Sequence, residues 1–253
     1  MNNSAARVLE IMELIASSGP MTVSEVSRRM EIPKTSAFDI IKILAEKGFL
    51  TQTDASSKTY SVGLSAYRVG MAYLERTDLY STAHPLLTSL CAEFGQTCYL
   101  AIEDGGFIVY IDKAESQSPL RVLANLGTRN RMYLTGLGKA MLAGYGEERV
   151  REIMSSGFER RTGNTIMDIG SLLRELEKVR ENGCAFDMGE DSEHIRCVAA
   201  PVRGRDGGIA AAVSIAMPDT VFTDDMRERA VKRITETALA ISAGLGYTGG
   251  RLY

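Results

Sequence analysis

Apolar residues recur every three or four positions in three successive stretches near the start of the chain, a spacing that predicts three short helices. The first runs roughly from Ser4 to Ser17, with Val8, Leu9, Met12 and Ile15 as its apolar stripe and Gly19-Pro20 as its stop. Thr22-Val23-Ser24-Glu25 opens the second, because Thr22 and Glu25 can each satisfy the other's orphan backbone donor. Val23, Val26 and Met30 then repeat at helical spacing until Ile32-Pro33 breaks the run. A third helix is predicted from about Lys34 to Lys47, burying Ala37, Ile40, Ile41 and Leu44, with Gly48 as a left-handed cap. Phe49–Thr53 and Lys58–Val62 switch to alternation, as two strands around Asp54-Ala55-Ser56-Ser57.

Helix, turn, helix and hairpin in this order read as a winged helix-turn-helix, whose second helix is shaped for a DNA major groove. After Gly63, a helix is predicted over Leu64–Arg76, where Leu64, Tyr67, Met71 and Leu74 form a narrow seam suited to another helix, in a second copy or in the same chain.

From about Asp78 the two periods mix. Helices are expected at Pro85–Glu93, from Thr135 through Ala143, at Glu148–Met154, from a cap at Asp168 through Asn182, and from Thr223 to about Gly244. Strands are expected at Cys98–Glu103 and Phe107–Asp112 around Asp104-Gly105-Gly106, near Leu120–Ala124, and at Arg196–Val202 and Ile209–Ala216. This is an α+β pattern, an antiparallel sheet flanked by helices, without an internal repeat.

A chain of 253 residues has room for two cores, and 45% hydrophobic with 24% charged residues is ordinary for a globular protein. No apolar run reaches membrane-spanning length, and Met1-Asn2-Asn3-Ser4 is no signal peptide, so a cytoplasmic protein is expected. Cys91, Cys98, Cys184 and Cys197 include no closely spaced pair, and His84 and His194 are the only histidines, so no metal site or cofactor is expected. Residues 1–62 carry Arg7, Arg28, Arg29, Lys34, Lys42, Lys47 and Lys58 against Glu10, Glu13, Glu25, Glu31, Asp39, Glu46 and Asp54, a neutral balance. Phosphate contacts dominate DNA affinity, so that balance is no advertisement. Distribution helps, since Arg28, Arg29 and Lys34 cluster at the turn, Lys42 lies on the third helix and Lys58 beside the wing tip.

Gly136-Leu137-Gly138-Lys139 looks superficially like a phosphate loop, but it lacks the first glycine at the required spacing and a Ser/Thr after the lysine. A helix start there can still hold a carboxylate on backbone donors. Cys197 with Asp187 and His194 offers the residue types of a thiol nucleophile, yet it falls in an apolar strand pattern (Ile195, Val198, Ala199), where cysteine acts as a small core residue. An enzyme is not expected. Tyr99 and Tyr110 read as packing residues.

These residues carry a resemblance along nearly the whole chain to the IclR-type transcriptional regulators. The similar stretches are Met21–Gly63 with Ile32-Pro33-Lys34-Thr35-Ser36, the segment Gly136–Ala143, and a long signature of Gly183-Cys184-Ala185-Phe186-Asp187, Arg196–Val202, Asp206-Gly207 and Ala211–Ile215. The resemblance implies an N-terminal DNA-binding domain, a linker helix, and a C-terminal effector domain akin to GAF and profilin-like folds. It also implies dimers or dimers of dimers that control catabolic operons in response to small organic, sugar or aromatic acids. Carried over, the effector pocket falls at Gly136, Leu137, Asp187, Cys197 and Ser214, to which Asn130 and Arg131 can add polar contacts. Three departures bear on the ligand: Ala216 stands where the family often has a second serine, Met188–His194 differs from the usual paired acids and glycine, and Asn130-Arg131 replaces Leu-Pro. In the DNA-reading helix, Phe38 stands for a common histidine and Asp39 for a common arginine.

The sequence thus predicts a winged helix-turn-helix at 1–62, a linker helix at 63–77 and an effector domain at 78–253. The function expected is a ligand-responsive regulator, a repressor under control of a small organic acid. A DNA-free sensor and a Cys197-dependent enzyme are the alternatives. Thr35, Ser36, Asp39 and Lys42 should face the groove, while Arg28, Arg29, Lys34 and Lys58 reach phosphates. The partners expected are double-stranded operator DNA, the effector and the chain itself, with no membrane.

Overall fold

The computed structural model describes residues 3–54, 58–75 and 78–253. Contacts divide the chain into two units, Met1–Thr77 and Asp78–Tyr253. Ala55, Ser56 and Ser57 of the predicted turn, Arg76 of the predicted linker helix and the side chain of Leu74 lie outside what is described.

The first unit runs α1 (Asn3–Ser18), β1 (Met21–Thr22), α2 (Val23–Arg29), α3 (Lys34–Glu46), β2 (Leu50–Asp54), β3 (Thr59–Val62) and α4 (Leu64–Glu75). The capping box closes α2, with Thr22 N–H donating to Glu25 at 2.8 Å and Glu25 N–H to Thr22 Oγ1 at 3.3 Å. Ile11, Ile15, Val26, Ala37, Ile41, Leu44 and Leu50 form the core. The stripe of α1 differs from the predicted one: it centres on Ile11 and Ile15, whereas Leu9 is 65% exposed. The short strand β1 was not predicted; it extends the hairpin to the order β1-β3-β2. Gly48 takes φ +73° at the end of α3, and a Cβ on Gly63 would overlap its carbonyl. That close pair fixes the start of α4, where Ser65 N–H donates to Gly48 O at 3.0 Å and Ser65 Oγ to Lys47 O at 2.9 Å.

The second unit holds a six-stranded antiparallel sheet in the order β6-β5-β4-β9-β8-β7, from β4 (Thr97–Asp104), β5 (Phe107–Ala114), β6 (Arg129–Arg131), β7 (Ala185–Asp187), β8 (Ile195–Arg203) and β9 (Ile209–Pro218). Its helices are α5 (Asp78–Phe94), α6 (Gly136–Ala143), α7 (Glu147–Ile153), α8 (Ile169–Asn182) and α9 (Asp224–Gly244). Period-two alternation separates two faces. Cys98, Leu100, Val198, Val202, Val213, Ile215 and Met217 pack on one, with α5 and α9. Tyr99, Ala101, Cys197, Ala199, Ala212 and Ala216 lie on the other, with α6 and α8. Small side chains dominate this second face, and α6 approaches it closely: a Cβ on Gly136 would stand 3.1 Å from Cys197 Sγ and 3.4 Å from the Ala199 Cβ.

Two expectations are corrected. α5 begins at Asp78 and continues through Pro85, because its stripe of Leu79, Ala83, Leu87, Leu90 and Phe94 is buried on both sides of the proline. Leu120–Ala124 is not a strand. Its backbone is met by one side chain instead of a ladder, since Tyr99 Oη donates to Val122 O at 3.0 Å and accepts from Ala124 N–H at 2.9 Å. Strand β6, further along, takes the place beside β5. No helix among the described residues is long and apolar enough to cross a membrane.

Candidate functional site

Sheet register assembles the floor of a cavity of about 340 Å³ in the second unit. Asp187 pairs with Cys197, Cys197 with Ala216, Ser214 with both Ala199 and Tyr99. The start of α6 closes over this row. Thr135 caps that helix, its Oγ1 accepting from Gly138 N–H at 3.0 Å and its carbonyl from Lys139 N–H at 3.0 Å. The amides of Gly136 and Leu137 come before the first helical donors and are left for another acceptor. Both residues line the cavity.

Polar groups in the floor are poised in different ways. Ser214 is 1% exposed, and its hydroxyl has no hydrogen-bond partner among the described residues; the neighbouring Cys197 thiol does not reach bonding geometry. Asp187 Oδ1 accepts from the Gly189 and Glu190 N–H groups, each at 2.9 Å. Burial, then hydrogen bonding and repulsion from Glu190, pushes the Asp187 carboxyl well above the usual carboxylate range. Burial acts on Glu190 in the same sense, but Asp187 and the ammonium of the fully buried Lys139, its ion-pair partner, hold Glu190 below its usual value. The arrangement therefore favours the negative charge on Glu190 and the proton on Asp187. Burial and then the Asp187 carboxyl raise the Cys197 thiol far above its ordinary value.

Tyr99, Tyr110, Val122, Leu123 and Ile195 supply aromatic and apolar walls. The two rings meet edge-on with centroids 5.2 Å apart. At the mouth, Asn130 Nδ2 donates to Asp191 at 2.9 Å, and Arg161 lies 3.4 Å from the same carboxylate. Among the described residues, Arg129 is the one Lys or Arg in the lining; it is engaged with Asp104 at 3.1 Å and stacked 4.6 Å over Phe107. The cavity thus offers neutral donors rather than a free cation.

In the first unit, α3 turns Thr35, Asp39 and Lys42 to solvent opposite Ala37, Ile41 and Leu44. Ser36 is half-buried on the flank, and Phe38 is 50% exposed. Phe38 lines a groove with Thr22, Ser24, Lys34, Thr35, Lys58 and Tyr60, joining the start of α2, the start of α3 and the wing. Arg28, Arg29, Lys34 and Lys58 are exposed. Arg29 donates to Ser18 Oγ at 2.8 Å.

Comparison with known proteins finds matches to both units. Residues 4–54 match the IclR helix-turn-helix domain, and residues 71–243 match the bacterial transcriptional regulator IclR C-terminal region. The chain belongs to the IclR family of bacterial transcriptional regulators. It is similar to the HTH-type transcriptional repressor AllR of Escherichia coli K12, 32% identical over 240 residues covering 94% of this chain and 88% of that one. It is likewise 32% identical to the HTH-type transcriptional regulator KdgR of Dickeya chrysanthemi over 246 residues, 97% of this chain and 80% of that one. The crystal structure of the Thermotoga maritima IclR matches with a TM-score of 0.81 at 31% identity, covering 98% of this chain and 100% of the other. As an IclR-family member the protein is a ligand-responsive, DNA-binding transcriptional regulator.

The IclR-type pocket positions Gly136, Leu137, Asp187, Cys197 and Ser214 all line the cavity, as does Asn130. Arg131 does not: its guanidinium donates to Ser156 Oγ at 2.6 Å and stacks 5.1 Å over Phe107. His194 pairs with Asp219 at 3.1 Å, so the histidine of the suggested thiol constellation is engaged elsewhere. Tyr99 and Tyr110 pack as expected, yet they also form the cavity wall. Sequence reasoning missed Glu190, whose role depends on Lys139, 51 positions away. It also missed Asp191, Leu123 and Ile195, which come from segments that only the fold brings together. For Val122 the alternating pattern pointed to a strand.

Proposed function

We propose that the protein represses a catabolic operon in the cytoplasm and is switched by a small hydroxylated monocarboxylic acid, such as a sugar acid. It binds its operator as a dimer or dimer of dimers, and it is not an enzyme. The carrying observation is the unpartnered buried hydroxyl of Ser214 in a cavity that also presents two free amides at a helix start. An N-terminal helix dipole and free N–H groups suit one carboxylate. Ser214 and the protonated Asp187 suit hydroxyls at the far side. Arg129 is already engaged, which disfavours an acid with two or three charges. Ala216 removes a hydroxyl that a two- or three-carbon keto acid would need, and the Tyr99 and Tyr110 rings favour a longer carbon skeleton. The repressor role is supported by similarity to a protein named as one.

Calorimetry against pyruvate, glyoxylate, aldonic acids and hydroxybenzoates tests the reading on wild type, Ser214→Ala and Asp187→Asn. Aldonic acids should bind best, and both variants should weaken them about tenfold, as loss of one hydrogen bond implies. The same acid should release the protein from operator DNA. An acid that bound all three proteins equally would remove these residues from the site. An acid that bound without changing DNA affinity would sink the switch.

A further inference from the structure

The acid at the centre of the reading face is a puzzle for a protein that approaches phosphates. Asp39 is exposed on α3 and takes part in no ion pair among the described residues; Lys42, one turn on, lies 4.0 Å from Glu46. The next residue back, Phe38, leaves half its surface in water at the rim of the groove that Lys34 and Lys58 flank. Neither side chain contributes to the buried core of the head. An unpaired carboxylate and an uncovered aromatic ring therefore stand side by side in the N-terminal half of the helix, the part that meets base edges in helix-turn-helix docking.

We propose that Phe38 and Asp39 together read a thymine–cytosine step in each operator half-site, Phe38 packing on the thymine methyl and Asp39 accepting from the cytosine N4 amino group. The inference rests on the DNA-binding function of the family and specifies what that function selects. A carboxylate can only accept, and the major-groove edges of guanine and thymine offer it acceptors, not donors. Adenine offers an amino group but sets the N7 acceptor beside it, whereas cytosine offers its amino group without that neighbour. The thymine methyl is the apolar feature of the groove, and a half-exposed phenyl ring gains by covering it. Phosphate attraction comes from Lys34, Lys58 and Arg28, so the acid at the centre costs little affinity on the right sequence and more on a wrong one. A neutral head that binds by selection rather than by charge follows from this arrangement.

The test begins with selection from a randomised duplex library by the full-length wild type. The enriched half-site should contain a thymine beside a cytosine. Asp39→Ala should reduce the preference for that cytosine from about tenfold to under twofold, and Asp39→Asn should move it towards adenine. Uracil in place of the thymine, which removes one methyl group, should weaken wild type about fourfold per half-site and leave Phe38→Ala unchanged. Phe38→Leu should retain part of the methyl dependence. Melting temperatures equal to wild type would show that the variants remain folded. If Asp39→Ala bound every sequence more tightly with the same preferences, Asp39 would be a repulsive charge and the inference would fail. Insensitivity of wild type to uracil would overturn the paired reading. Enrichment of no sequence at all would instead overturn the DNA-binding function itself, and the inference with it.

Discussion

Ser214 carries a hydroxyl without a hydrogen-bond partner among the described residues, and a buried orphan donor costs roughly 1–3 kcal/mol. Ser214→Ala should therefore leave the melting temperature unchanged or raise it by a few degrees, while weakening the effector. A variant both less stable and unimpaired in binding would show that the hydroxyl is structural. The neighbouring Asp187 gives a pH signature. Its folded value lies above the ordinary 3.8, so the folded state holds a proton that the unfolded chain has released. Stability must then fall as pH rises from about 4 to the folded value, and be level beyond it. Glu190 acts in the opposite sense but below 4.5, where its lowered value makes acid destabilising. Asp187→Asn keeps an oxygen for the Gly189 and Glu190 amides and loses the ionisation. Denaturant melts from pH 5 to 9 should show wild type declining relative to this variant. Parallel curves would mean that Asp187 is already ionised throughout that range. Effector affinity in wild type should decline over the same interval, since an ionised Asp187 repels a carboxylate.

Among the elements, the segment over the cavity depends on one phenol. Tyr99 Oη both donates to Val122 and accepts from Ala124, which replaces a strand ladder with two bonds to a single atom. Tyr99→Phe keeps the ring and its packing on Tyr110 but orphans a carbonyl and an amide. Hydrogen exchange at residues 120–125 should quicken, and effector affinity should fall several-fold through a loosened wall, with the far-UV spectrum unchanged. Unaltered exchange there would show that Val122 and Leu123 hold the segment by packing alone. This is also why the segment misled the sequence reading: Leu120, Val122 and Ala124 alternate as a strand would, and nothing local reveals a tyrosine two strands away. By contrast α3 was legible, because Ala37, Ile41 and Leu44 follow the helical period and Gly48 marks its end within the same few residues. The cavity positions were legible through family resemblance, but their chemistry was not. Lys139, reached only through α6 packing on the sheet, helps hold the charge on Glu190, and burial beside Glu190 raises the Asp187 carboxyl.

For the whole molecule the weak point is affinity. The head has as many acidic as basic residues, so one copy gains little from counterion release, and one recognition helix reads few base pairs. Two heads on adjoining half-sites would multiply the base contacts and raise the effective concentration of the second head once the first is bound. Helix α4 has the surface for such pairing: Leu64 is 72% exposed and Tyr67 63%, three residues apart on one face of the helix. Leu64→Glu with Tyr67→Glu would place two charges in that seam, where an unpaired buried charge is strongly unfavourable. Light scattering should then report the mass of a single chain, against a multiple of it for wild type. Operator affinity should fall by at least a hundredfold, and effector titration should be unaffected because the cavity residues belong to the second unit. If mass and operator affinity both survived the double substitution, α4 would not be the seam. If mass alone survived, self-association would have to come from the effector unit, leaving α4 to position the heads on DNA.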